Sequence, residues 1–93
     1  MRNYRDKFGE IDIIARDSDT YVFVEVKTRR SNHFGTPEEA VTTQKMRQVV
    51  RVAQSYLNKY ELFDVPTRFD VIAILMSSGN PQINHLVSAF DAG

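Results

Sequence analysis

No cysteine occurs in the sequence, which removes disulfides and thiolate-ligated zinc and suits a cytoplasmic location. No apolar run approaches membrane-spanning length, and no secretory signal stands at the N-terminus, so a membrane partner is not expected. Net charge is lacking too: 12 Lys and Arg balance 12 Asp and Glu, so the global charge does not announce a nucleic-acid partner. Internal repeats and low-complexity tracts are absent. What remains is one small domain over residues 1–93. Its 42% hydrophobic and 26% charged residues are ordinary for a globular fold, and its core is adequate rather than large.

The most informative stretch is GEIDIIARDSDTYVFVEVKTRR, residues 9–30. Residues 9–16 and 21–28 alternate as strands do, and Asp17-Ser18-Asp19-Thr20 between them is turn chemistry. With Ser18 and Asp19 at the tip, residues whose numbers sum to 37 face each other. One face then pairs Ile11 with Val26, Ile13 with Val24 and Ala15 with Val22, an apolar core face. The other pairs Glu10 with Lys27, Asp12 with Glu25, Ile14 with Phe23 and Arg16 with Tyr21. Two carboxylates directly opposite are destabilising unless something positive lies between them. A divalent cation would serve, and Lys27 follows Glu25 on the same face.

The remaining elements are simpler. MRNYRDKF, residues 1–8, is basic and aromatic and is expected to add a strand ahead of the hairpin. Residues 31–35 are loop-like, and Thr36-Pro37-Glu38-Glu39 carries the signals of a short helix start, with Thr42 or Thr43 as a restart. Met46, Val49, Val50, Ala53, Tyr56, Leu57 and Tyr60 recur with helical period, Val52 lying off that stripe, and Pro66 stops the segment. Arg68 to Leu75 is expected as a buried strand and Gln82 to Val87 as a last one, separated by Ser77-Ser78-Gly79-Asn80-Pro81. The crossover should set the strand at 68 parallel to the one ending at 28. The fold class is therefore α/β: a small mixed sheet with a β-β-α-β-β core and one long helix.

Phosphodiester cleavage assisted by Mg²⁺ or Mn²⁺ needs two or three hard oxygen ligands and a cation near the attacking water or developing charge. Asp12, Glu25 and the Val26 carbonyl are the candidate ligands, and Lys27 is the candidate cation. Glu10 is a candidate accessory acid. The competing reading is an exposed ion-pair network among Glu10, Asp12, Glu25 and Lys27. A bare acid-x-Lys triplet should occur about once in two chains of this length by composition alone, so the opposed Asp12 is what lends it weight. Lys27, Arg29, Arg30, Lys45, Arg47, Arg51 and Lys59 form a local basic stretch compatible with phosphate binding or with a solvated helix face. Arg68 and Asp70 are expected to pair locally or to close the edge of the site, and His85 to be structural or exposed.

Taken together, GEIDIIARD, VFVEVKTRR, FGTPEEAV, Lys45 and RFDV resemble the YraN-type family of uncharacterised bacterial proteins. That family is similar to the PD-(D/E)XK, restriction-endonuclease-like nucleases, with archaeal Holliday-junction resolvases as functional relatives. The resemblance implies a metal-dependent nuclease acting on DNA, including branched or structured DNA. It puts the acidic ligands on Asp12 and Glu25, the lysine on Lys27, and Lys45 on a family position of unknown role. Arg29, Arg30 and Lys45 would bind the nucleic acid. The alternative is a non-catalytic nucleic-acid-binding or scaffolding module on the same fold. Family members carry an N-terminal helix ahead of Asn-Tyr-Arg, which this chain lacks. The chain is therefore expected to be truncated relative to the family, with an exposed sheet surface that would favour a homodimer.

Overall fold

A computed structural model of the chain describes residues 1–30, 42–76 and 79–91, with Arg30 described by its backbone alone. The elements are β1 (Arg2–Asp6), β2 (Gly9–Asp17), β3 (Thr20–Arg30), α1 (Thr43–Lys59), β4 (Thr67–Met76) and β5 (Gln82–Phe90). The five strands form one sheet in the order β1-β2-β3-β4-β5. All neighbours are antiparallel except β3 and β4, which run parallel as the helical crossover between them requires. The short helix start at residues 36–39 lies outside the described residues.

Each turn has a local cause. At the β1–β2 corner, Asp6 Oδ1 accepts a 2.8 Å hydrogen bond from the Phe8 amide. Gly9 follows with φ 148, and a Cβ there would lie 2.7 Å from the Gln48 side chain of α1. The glycine thus serves both the turn and the close approach of the helix. Between β2 and β3 the chain reverses at Ser18, φ 58, and Asp17 pairs with Thr20 as the summed register of 37 demands.

Thr42 caps α1 by accepting from the Lys45 amide at 3.1 Å. The helix ends without glycine. Glu61 adopts the left-handed conformation (φ 53), its amide reaching Asn58 O and the Leu62 amide Leu57 O, the paired bonds of a Schellman motif.

The core lies between α1 and one face of the sheet, where Ile11, Ile14, Phe23 and Phe69 meet Val49, Val52 and Ala53. Tyr56 sets its ring edge-on to both Tyr4 and Phe23. Val52 belongs to this core and is fully buried, contrary to its expected place off the helix stripe. Val49, Val52 and Tyr56 follow at intervals of three and four, so the buried seam runs through Val52, while Tyr60 at the far end is exposed.

The hairpin departs from regular alternation at one point. Ile14 pairs with Phe23 on the helix side, but Ile11, three residues earlier, is buried in the same cluster. The β2–β3 register stops at Ile13 with Val24, so the expected pairing of Ile11 with Val26 is not part of it. On the β1 side, Asn3 has φ 55 between the pairs Arg2–Ile13 and Tyr4–Ile11. The two strands change face together across Asp12, which places the apolar side of Ile11 and Tyr4 against the helix.

Candidate functional site

Asp12 sits where the strands change face, and its side chain does the work of a missing ladder bond: Oδ2 accepts the Val26 amide at 2.8 Å. Glu25, the residue before, points to the helix side, where it is 5% exposed, and its carboxyl lies close enough to Asp12 to feel that carboxylate. The two carboxyl groups expected to meet across the hairpin do meet, through the break in pairing rather than a direct Cα register. Burial, and then the neighbouring Asp12, push the Glu25 carboxyl up to about 7, despite the opposing influence of Lys45. At neutral pH the Glu25 carboxyl is therefore protonated for part of the time.

Lys45, at the start of α1, provides the nearest cation. Its Nζ lies 3.3 Å from Glu25 Oε2 and also donates to Gln48 Oε1 at 3.2 Å. The ammonium is close without being aligned: Oε2 is buried and accepts no well-formed hydrogen bond. A divalent cation fits this donor set, two hard carboxylates with one oxygen lacking an aligned donor. Among the described residues no group of three or more His, Cys, Asp or Glu gathers to hold a metal, so any further ligands would be backbone or water.

The other candidates are distributed as follows. Lys27 is exposed two residues beyond Glu25 on the same face of β3, with no ion pair to either carboxylate among the described residues. Arg29 is half-buried farther along the strand. Glu10 does not face Lys27. It pairs with Arg5 of β1, with a 3.4 Å ion pair between their side chains, because alternation next to Ile11 turns it to the side away from α1. The contact of Lys45 with Glu25 was not legible, since nothing in the sequence says which strand residue a helix start will touch.

Arg68 and Asp70 lie on the opposite face and build a separate network. Asp70 is wholly buried and accepts from Arg68 Nε at 3.0 Å and from the Ser88 amide at 3.0 Å, with His85 Nε2 at 2.8 Å. Arg68 also reaches Asp17 Oδ2 at 2.8 Å. Burial alone would raise the Asp70 carboxyl, but the bonds from Arg68, Ser88 and His85 prevail and hold it below the ordinary carboxylate range. Ser88 has φ 52 and lies where β5 takes a longer path than β4, between the pairs Phe69–Phe90 and Val71–Leu86. Asp70 therefore pins a bulge in the edge strand and stands apart from the carboxylate pair.

Among the described residues no helix is long and apolar enough to cross a membrane. Comparison with known proteins places the hairpin and helix in a wider context. The chain is 52% identical over 90 residues to a UPF0102 protein of Geobacter metallireducens, covering 97% of this chain and 74% of the relative. It is 52% identical over 91 residues to one of Geotalea uraniireducens, covering 97% and 72%, and 45% identical over 89 residues to one of Syntrophomonas wolfei, covering 96% and 77%. The family model described as uncharacterised protein family UPF0102 matches residues 1–74, a span that holds Asp12, Glu25, Lys27, Lys45 and Asp70. On these matches the chain belongs to the UPF0102 family.

Proposed function

We propose that this protein is a metal-dependent nuclease that hydrolyses DNA phosphodiester bonds, with branched or structured DNA as the substrate class to which the resolvase likeness points. The meeting of Asp12 with a buried Glu25 carries the reading. A protein gains nothing in stability from a carboxyl pushed up to about 7 beside a second one, and a hard cation relieves that cost. Asp12, Glu25 and the Val26 carbonyl would hold Mg²⁺ or Mn²⁺. When bound, the ion supplies a polarised phosphoryl oxygen and a more acidic water. Lys27 orients the attacking water or stabilises charge developing on the phosphate, and Arg29, Arg30 and Lys45 hold the backbone.

The second reading is a non-catalytic nucleic-acid-binding module. Its support is the Lys45–Glu25 ion pair, which already supplies a counter-charge without metal. Cleavage of a four-way junction and of plasmid DNA with Mn²⁺ separates the two. Lys27→Ala should slow cleavage about a hundredfold while leaving Mn²⁺ binding unchanged by calorimetry, and Asp12→Ala should remove both. Undiminished cleavage by Lys27→Ala would return Lys27 to a structural role. Wild-type protein that binds these DNAs but never cuts them would leave the binding module.

A homodimer belongs to the same proposal. The face away from α1 leaves Ile83 and Val87 of the edge strand 65% and 57% exposed, and β5 carries no charged residue to discourage pairing. Light scattering over a dilution series should show a dimer at high concentration that Ile83→Lys dissociates. A monomer at every concentration would end this part of the proposal.

A further inference from the structure

The helix α1 is unusual in its charge. TQKMRQVVRVAQSYLNK carries the cations Lys45, Arg47, Arg51 and Lys59 and no carboxylate. Its first turn has no acidic residue and places Lys45, with Arg47 just beyond, at the end where the backbone dipole is positive. Cations at this end are disfavoured by the helix dipole, which carboxylates there would instead complement. Arg47 and Arg51 are exposed, one turn apart on the same stripe, and among the described residues neither has a carboxylate partner within 4.0 Å. Asp91 shares an adjoining groove with both without pairing to either.

These side chains line a groove of about 280 Å³ with Gln44, Gln48 and the ring of Phe8 from the β1–β2 turn. The Phe8 ring supports the Arg51 guanidinium, 5.4 Å from its centroid, and Lys7 lies 5.2 Å from the same ring. The groove also connects to the carboxylate pair. Gln48, on its floor against Gly9, accepts from Lys45, which is ion-paired with Glu25. From Lys45 to Arg51 is about 9 Å along the helix axis, roughly three nucleotide steps of a B-form strand.

We infer that this groove is a nucleic-acid backbone track, with successive phosphates held by Arg47 and Arg51 and the strand led past Lys45 toward Asp12 and Glu25. The inference deepens the nucleic-acid reading and rests on it for the identity of the polyanion. Phe8 acts as a post that keeps Arg51 extended toward the strand. Gln48 supplies a neutral donor between the two cations, and Gln44 one ahead of Arg47.

Binding of a fluorescent oligonucleotide, measured in EDTA over a salt series, tests it without cleavage. In the Arg47→Gln/Arg51→Gln variant, affinity at 0.1 M salt should fall about thirtyfold and the log–log salt slope should become shallower by about 1.5, the loss of two phosphate contacts. The Arg47→Lys/Arg51→Lys variant should retain most of the affinity and the slope. Equal affinity and slope in the double glutamine variant overturns the inference, as does absence of wild-type binding. Displacement by polyglutamate as effective, per charge, as by unlabelled oligonucleotide overturns it too. Mn²⁺-dependent cleavage followed in parallel separates the two proposals. Binding that depends on Arg47 and Arg51 without cleavage sinks the nuclease reading alone, and cleavage with binding indifferent to them sinks the track alone.

Discussion

Asp70→Ala is expected to be the most destabilising single change away from the carboxylate pair, lowering the unfolding free energy by about 3 kcal/mol or more. Asp70 is fully buried and accepts from Arg68, from the Ser88 amide and, according to tautomer, from His85. Truncation leaves an arginine and a backbone amide short of an acceptor in a partly dry setting, which costs more than the lost attraction itself. For a domain of this size the loss corresponds to roughly 15 °C in melting temperature. Because the carboxyl is held below its ordinary range, its contribution is complete above the ordinary carboxylate pKa and disappears as pH falls through the lower native value. Urea unfolding of wild type and variant decides it. A loss below about 1 kcal/mol would reduce the network to a surface ion pair.

Glu25→Gln is expected to behave in the opposite sense at alkaline pH. The native Glu25 carboxyl titrates at about 7 against an ordinary value of 4.5, so between those values the folded protein binds a proton that the unfolded chain does not. Stability therefore falls as pH rises from about 4.5 through 7, by up to about 3 kcal/mol. Glutamine fills the same space, can donate to Asp12 as the protonated acid does, and never ionises. The variant should match the wild type near pH 5, exceed it at pH 8, and lack the decline between them. Added Mn²⁺ at pH 8 should raise the melting temperature of the wild type and leave the variant unchanged. A wild type whose stability is flat from pH 5 to 8 would mean that Lys45 alone compensates Glu25.

The hairpin shows how far local pattern carries. Alternation and the Asp17–Thr20 turn specify the register of Ile13 with Val24 through Arg16 with Tyr21, since a two-residue period and a tight turn leave no other pairing. The same alternation, extended past Ile13, misplaces Ile11 and Glu10. The face change at Asp12 is settled by Asn3 on β1 and by the Asp12 side chain reaching the Val26 amide, neither of which is a property of β2 by itself. Val52 illustrates a related limit. Several helical stripes fit the apolar positions of α1, and only packing against Phe23 and Phe69 selects the one through Val49, Val52 and Ala53.

The sequence by itself determined the described elements and the parallel crossover between β3 and β4, because each follows from short-range periodicity, turn residues and topology; it brought Asp12 toward Glu25 only through a register that the structure breaks at Asp12. Tertiary structure alone decided that Lys45 is the cation on Glu25, that Glu10 turns away to Arg5, and that Arg68, Asp70 and His85 form a separate network across the sheet. Those outcomes depend on where a helix start rests on a strand and where an edge strand bulges. Both are set by packing between elements far apart in the chain, on which local periodicity is silent.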